Sequence, residues 1–121
     1  MDKNIKRIAN MDKKTNKIIN QYIRKVAENK PELLSSILFG SYAKGTEQKD
    51  SDIDIALVFD DFKDDDKFDL QTKLLVLATE FDTRIEPHPI SQKEFDIENP
   101  FVAEIKKTGR KLEYWKKQNA N

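Results

Sequence analysis

The sequence contains no cysteine, one histidine, one tryptophan and three glycines in 121 residues. Without cysteine there is no disulfide framework, no thiolate nucleophile and no Cys-ligated zinc. An excess of one charge is also missing. The 22 Lys+Arg balance the 22 Asp+Glu, so no overall basic field marks a nucleic-acid surface. Nor is there any apolar run long enough to cross a bilayer, and the start "MDKNIKRIAN" lacks an apolar h-region. A cytoplasmic location is therefore expected, with no membrane contact.

What is present is a heavily charged chain, 36% charged and 37% hydrophobic, as in soluble globular proteins. Its length suggests one domain with one real core, and no room for a separate substrate domain. That domain is expected over residues 1–121, with its core at about 15–110. Residues 1 to about 29 read as a lysine-rich helix with an apolar stripe of Ile18, Ile19, Tyr22, Ile23 and Val26. Pro31 ends it, and "LLSSILF" (33–39) reads as a short buried strand. "DIDIALVF" (52–59) is the strongest strand in the chain.

The run "DDFKDDDKFD" (60–69) reads as a solvated acidic loop, followed by a helix over 70–81. "TRIEPHPI" (83–90) is a short strand whose Pro87 and Pro89 place it at a sheet margin. Asn99 and Pro100 look like an N-cap and first helical residue, opening a helix to about Thr108 that Gly109 closes. "RKLEYW" (110–115) is a candidate last strand, and the tail "KKQNAN" is expected to fray. This order gives an α/β or α+β fold with a small mixed sheet flanked by helices.

Two aspartates enter the strongest strand one residue apart. Side chains alternate along a strand, so Asp52 and Asp54 share a face, with Cα atoms about 6.6 Å apart. Ile53, Ile55, Leu57 and Phe59 then point the other way, into a core. Two adjacent carboxylates repel, and burying them unpaired is costly. Arginines, solvent or a divalent cation could relieve this, and oxygen-rich sites suit Mg²⁺ or Mn²⁺. By itself a D-x-D is weak, because many strand starts carry aspartates as turn-formers. The stretch before it strengthens the case. Gly40 and Ser41 follow a buried strand where the chain turns sharply, and glycine there lets backbone approach a phosphate.

"GSYAKGTEQKDSDIDIALVF" resembles the G-S-x-A-x-G and S-D-x-D signature of the nucleotidyltransferase superfamily that includes DNA polymerase beta. It matches at Gly40, Ser41, Ala43, Gly45, Ser51, Asp52 and Asp54. It is most similar to the minimal nucleotidyltransferases, and the likeness extends loosely over residues 15 to 110. The resemblance implies a nucleoside triphosphate donor such as ATP, bound with Mg²⁺ (or Mn²⁺), and transfer of a nucleotidyl group to an acceptor hydroxyl. It assigns Asp52 and Asp54 as catalytic metal ligands, and Glu86 as the third catalytic carboxylate and metal ligand. Gly40 and Ser41 would hold phosphates, with Lys44 and Ser51 as further nucleotide-binding candidates. It also implies an antitoxin role beside an all-helical HEPN partner, whose hydroxyl would be the acceptor. A dimer mate could supply the missing acceptor surface instead.

Plainer readings stand beside these. Glu86 would share its face with Arg84 and His88, so an ordinary Glu–Arg pair is an alternative. His88 would be a surface or strand-end residue, or lie near the acceptor. Lys44, Thr46 and Ser51 could be turn residues or caps. Two rival functions use the same fold: a catalytically silent antitoxin acting by contact, and an enzyme adding nucleotides to RNA. The basic N-terminal helix and "KKTGRK" keep the second open, while the neutral charge and single Trp115 speak against it.

Overall fold

The computed structural model describes residues 13–112. The start of the lysine-rich helix, the end of the last strand and the tail lie outside that range. Helix α1 (Lys13–Asn29) buries Ile19, Tyr22, Ile23 and Val26, as the stripe requires, with Ile18 at the margin. Strand β1 (Leu33–Phe39) has the expected bounds. A single turn of helix, α2 (Ser41–Lys44), lies between Gly40 and Gly45 and leads to β2 (Ile53–Phe59).

The acidic run is less of a loop than its composition suggests. Asp64–Asp66 form a 3₁₀ turn that passes straight into α3 (Lys67–Ala78), so the helix starts at Lys67 rather than Leu70. Carboxylates near a helix start are favoured by its exposed N–H groups, which is why an acidic stretch can open one. At the other end, the N–H groups of Glu80 and Phe81 bond back to Leu77 and Ala78, closing the helix before Phe81.

Strand β3 (Ile85–Ser91) is followed by a further helix, α4 (Gln92–Ile97), which apolar periodicity does not announce. Its signal was there to be read. Ser91 accepts from the Glu94 N–H while the Glu94 side chain reaches back to the Ser91 N–H, a reciprocal capping box. Helix α5 (Pro100–Thr108) opens as expected, with the Asn99 side chain accepting from the Val102 N–H. A two-residue β4 (Arg110–Lys111) completes the described elements.

The sheet order is β3-β2-β1-β4, with β1 antiparallel to β2 and β4, and β2 parallel to β3. The expected mixed sheet is thus present, with α1 and α3 on one face and α5 on the other. Ile53, Ile55, Leu57 and Phe59 pack with α1 and with Leu74 and Ala78 of α3. Ala56 and Val58 face the opposite way, against Ile37, Ile90, Val102 and Ile105. Strand β2 is therefore apolar on both faces beyond Asp54, which explains its nearly continuous hydrophobic run.

Pro87 and Pro89 sit on the edge strand. Arg84 turns its carbonyl toward β2, where it accepts from the Ile53 N–H. Alternation then directs the backbone of residues 87 and 89 outward, where a missing N–H breaks no ladder bond. The outward carbonyl of Pro87 accepts instead from the Gln71 amide, at 3.3 Å.

Candidate active site

Strand directions gather the candidate residues at one end of the sheet. The end of β1 lies beside the starts of β2 and β3, so Asp54 pairs in register with Phe39 on one side and Glu86 on the other. Register partners share a face, on strands about 4.8 Å apart. Asp54 and Glu86 are therefore side-by-side carboxylates, and Asp52 stands two residues before Asp54, in the segment just ahead of β2. Asp52 is exposed, whereas Asp54 and Glu86 are half-buried.

The glycine turn meets this face directly. Gly40 has φ 73° and ψ −154°, a backbone region that is essentially reserved for glycine. A Cβ placed there would come within 2.5 Å of Asp54 Oδ2. The missing side chain is what makes room for the carboxylate, so the turn and the D-x-D form one unit. The other oxygen, Oδ1, lies 3.2 Å from His88 Nε2. The imidazole is itself edged against Phe39, with ring centroids 5.0 Å apart, and tilted against Phe101 at 5.9 Å.

The remaining candidates divide. Ser41 opens α2 and its carbonyl accepts from the Thr46 N–H, fixing the turn that returns through Gly45. Lys44 lies 3.7 Å from Glu104 of α5, an exposed pair. Ser51 closes a turn of its own, its hydroxyl accepting from the Gln48 N–H at 2.7 Å.

The alternative Glu86–Arg84 pair does not form, because Arg84 precedes the strand and turns to the opposite face. Its guanidinium bonds Asp82 (2.8 Å), the Tyr42 hydroxyl (2.8 Å) and Thr15 (3.4 Å). Those contacts tie α1 and the residue after Ser41 to the start of β3. Arg84 also holds the Asp82 carboxyl below its usual range, chiefly by the side-chain hydrogen bond. This anchoring role was not visible in sequence alternation.

Among the described residues, no three acidic or imidazole side chains close into a ready-made ligand cluster. The structure brings Asp54 to Gly40, His88 and Glu86, and leaves Asp52 open to solvent. The donor set nonetheless fits a hard divalent cation. It is all oxygen, Asp54 and Glu86 share a face with Asp52 just ahead of them, and Mg²⁺ needs only one or two carboxylates when phosphates and waters complete its shell.

A cavity of about 120 Å³ borders the site, lined in part by His88, Phe101, Lys67 and Gln71. A larger one of about 260 Å³ lies around Phe59 and Phe62, at the opposite end of β2 and remote from the carboxylates. Among the described residues, no helix is long and apolar enough to cross a membrane.

Comparison with known proteins agrees with this geometry. Residues 21–113, most of the chain, match the family Polymerase beta, Nucleotidyltransferase. No curated protein matches the sequence. A crystal structure of a protein assigned as a nucleotidyltransferase from Sulfolobus solfataricus aligns with TM-score 0.59 and 23% identity, over 92% of this chain and 86% of that one. A toxin–antitoxin structure with AMP-PNP aligns at TM-score 0.53 and 25% identity, over 76% and 70%. A variant of the toxin–antitoxin MntA-HpeT aligns at 0.54 and 27%, over 78% and 70%. A tri-AMPylated HEPN toxin from Shewanella oneidensis in complex with its MNT antitoxin aligns at 0.50 and 22%, over 79% and 70%, a likeness of fold. The motif at residues 40–54, the mixed sheet that carries it and the family match agree: the chain belongs to the polymerase beta nucleotidyltransferase family.

Proposed function

We propose that the chain transfers a nucleotidyl group, AMP from ATP, to a hydroxyl of an all-helical HEPN partner and so acts as its antitoxin. The observation that carries this is the register pair of Asp54 and Glu86 on one face, with Asp54 seated over the side-chain-free Gly40 and Asp52 two residues before it. Supporting it are the structural neighbours, which include toxin–antitoxin complexes, one holding AMP-PNP and one an AMPylated HEPN toxin.

In this reading Asp52 and Asp54 hold Mg²⁺ or Mn²⁺, with Glu86 as third carboxylate. A bound divalent cation supplies charge neutralisation for the phosphates. Gly40 and Ser41 hold phosphate oxygens at the turn. Lys44 adds a point charge once it leaves Glu104, and an exposed pair of that kind is worth only about 0–1 kcal/mol. Ser51 keeps the loop before Asp52 in shape. The acceptor oxygen attacks the α-phosphorus, the bond from that phosphorus to the β-phosphate's bridging oxygen breaks, and pyrophosphate leaves. Glu86, beside Asp54, takes the acceptor's proton. The protein's work is positioning and electrostatic stabilisation.

Calorimetric titration of ATP with Mg²⁺ into the protein and into Asp52→Asn/Asp54→Asn tests the site. Metal-dependent binding that disappears in the double variant is expected. Co-expression with a HEPN partner, read by mass spectrometry, is expected to add AMP to the partner only with the native aspartates. Binding that persists in the double variant sinks the site assignment. Neutralisation of the partner without any mass gain favours action by contact alone.

A further inference from the structure

We infer that His88 is a positioning residue, whose ring donates to Asp54 Oδ1 and so holds the other carboxylate oxygen in the notch above Gly40. The bond spans 3.2 Å from Nε2. A carboxylate that serves as a cation ligand only accepts, so the inference puts the hydrogen on Nε2. Each Asp54 oxygen then has its own neighbour: Oδ1 the imidazole, Oδ2 the glycine backbone, where a Cβ would stand 2.5 Å away.

The register allows this and the packing fixes it. Asp54 pairs with Glu86, so His88 is its diagonal neighbour on the same face. With strands about 4.8 Å apart and an offset of about 6.6 Å along them, the pair spans about 8 Å at Cα, which an imidazole can bridge. The ring has little freedom to turn away. Phe39, the other register partner of Asp54, sits edge-on to it at 5.0 Å, and Phe101 lies at 5.9 Å. Those two phenyl rings meet each other at 5.6 Å. Phe101 is in turn placed by the Asn99 cap and Pro100 at the start of α5. The side chains of His88 and Asp54 are equally shielded, each 26% exposed, so their bond is only partly open to competing water.

Hydrogen bonds from neighbours outside the ligand set orient metal-binding carboxylates, and losing one typically weakens metal affinity by about 10–100-fold. The inference rests on the reading of Asp54 as a cation ligand, and the experiment separates the two. Mn²⁺ binding in the presence of ATP is measured by electron paramagnetic resonance for the wild type, Asp54→Asn, His88→Ala, His88→Phe and His88→Gln. His88→Phe keeps an aromatic ring and removes the donor; His88→Gln keeps a donor. Thermal unfolding by circular dichroism checks each fold, and His88→Phe carries the test should His88→Ala be poorly folded.

The expected result is a loss of about 10–100-fold in Mn²⁺ affinity for His88→Ala and His88→Phe, with most of it restored in His88→Gln. Wild-type affinity in His88→Phe, or a His88→Gln no better than His88→Phe, overturns the positioning role while leaving Asp54 as a ligand. Wild-type affinity in Asp54→Asn overturns the parent reading, and the inference with it.

Discussion

Replacing Gly40 with alanine adds one methyl group, and the structure says where it goes. The new carbon would lie 2.5 Å from Asp54 Oδ2, 3.4 Å from its Cγ and 3.5 Å from its Cβ. Carbon–oxygen contact below about 3 Å is repulsive, so Asp54 or the turn must move by several tenths of an ångström or more. The backbone resists as well. At φ 73° and ψ −154° a residue with a Cβ is strained by about 1–3 kcal/mol. Urea unfolding should therefore show a stability loss of that size. Function should suffer more than stability. A displaced Asp54 loses its 3.2 Å contact with His88, and misplacing a reacting group by about 1 Å can cost about 100-fold. Calorimetry on the folded Gly40→Ala protein should show Mg²⁺-dependent ATP binding weakened at least tenfold. Gly45→Asn is the control, because Gly45 closes α2 in the left-handed region that asparagine tolerates, and both readouts should stay near wild type. Native stability together with native ATP binding in Gly40→Ala would refute the claim that this turn and Asp54 form one unit.

Other substitutions separate the frame from the site. Because Arg84 holds the folded Asp82 carboxyl below its free value, the stabilisation is present at neutral pH and is lost as pH falls through that lowered value. The penalty of Asp82→Asn should thus be full above about pH 5 and shrink below about pH 4, read by urea midpoints across pH. Tyr22 donates to the Leu74 carbonyl at 2.9 Å from a buried position, and burial pushes its phenol well above the usual range. Tyr22→Phe should lower stability by about 0.5–1.5 kcal/mol in denaturant unfolding, with no pH dependence near neutrality. Leu57 is completely buried in the layer away from the carboxylates. Leu57→Ala should lower stability by about 2–5 kcal/mol in the same assay, while ATP affinity of the folded protein stays within twofold.

Legibility in the sequence followed the range of the forces involved. Strand β1, the bulk of α1 and the Asn99-Pro100 helix start rest on local periodicity or capping, and were read closely. The Gly40–Asp54 stretch was legible as a motif, but not the physical reason for its glycine, which depends on an atom fourteen residues away in sequence (54 − 40). Alternation put Arg84 on the Glu86 face because it assumes that the strand has already begun. The strand starts at Ile85, and a bent residue just ahead of it obeys the turn instead. Helix α4 buries no residue fully, so no apolar stripe announces it. Composition describes the solvation of the acidic run and not its backbone, which turns as a 3₁₀ segment directly into α3. His88 carries no signal beyond being the single histidine, since its contact with Asp54 depends on register between strands more than thirty residues apart in sequence.

The prolines of β3 have a consequence for how this molecule meets other chains. An open sheet edge invites a foreign strand by offering alternate N–H and C=O groups. On the outward side of β3, Pro87 and Pro89 offer no N–H, and the Pro87 carbonyl is already taken by Gln71. A strand arriving there would leave its own acceptors unsatisfied, so this margin is closed to growth by strand addition. Crowding many copies together, as during high-level synthesis, should not zip them edge to edge along β3. A partner reaching this side must be held by side chains, which makes recognition there selective rather than adhesive.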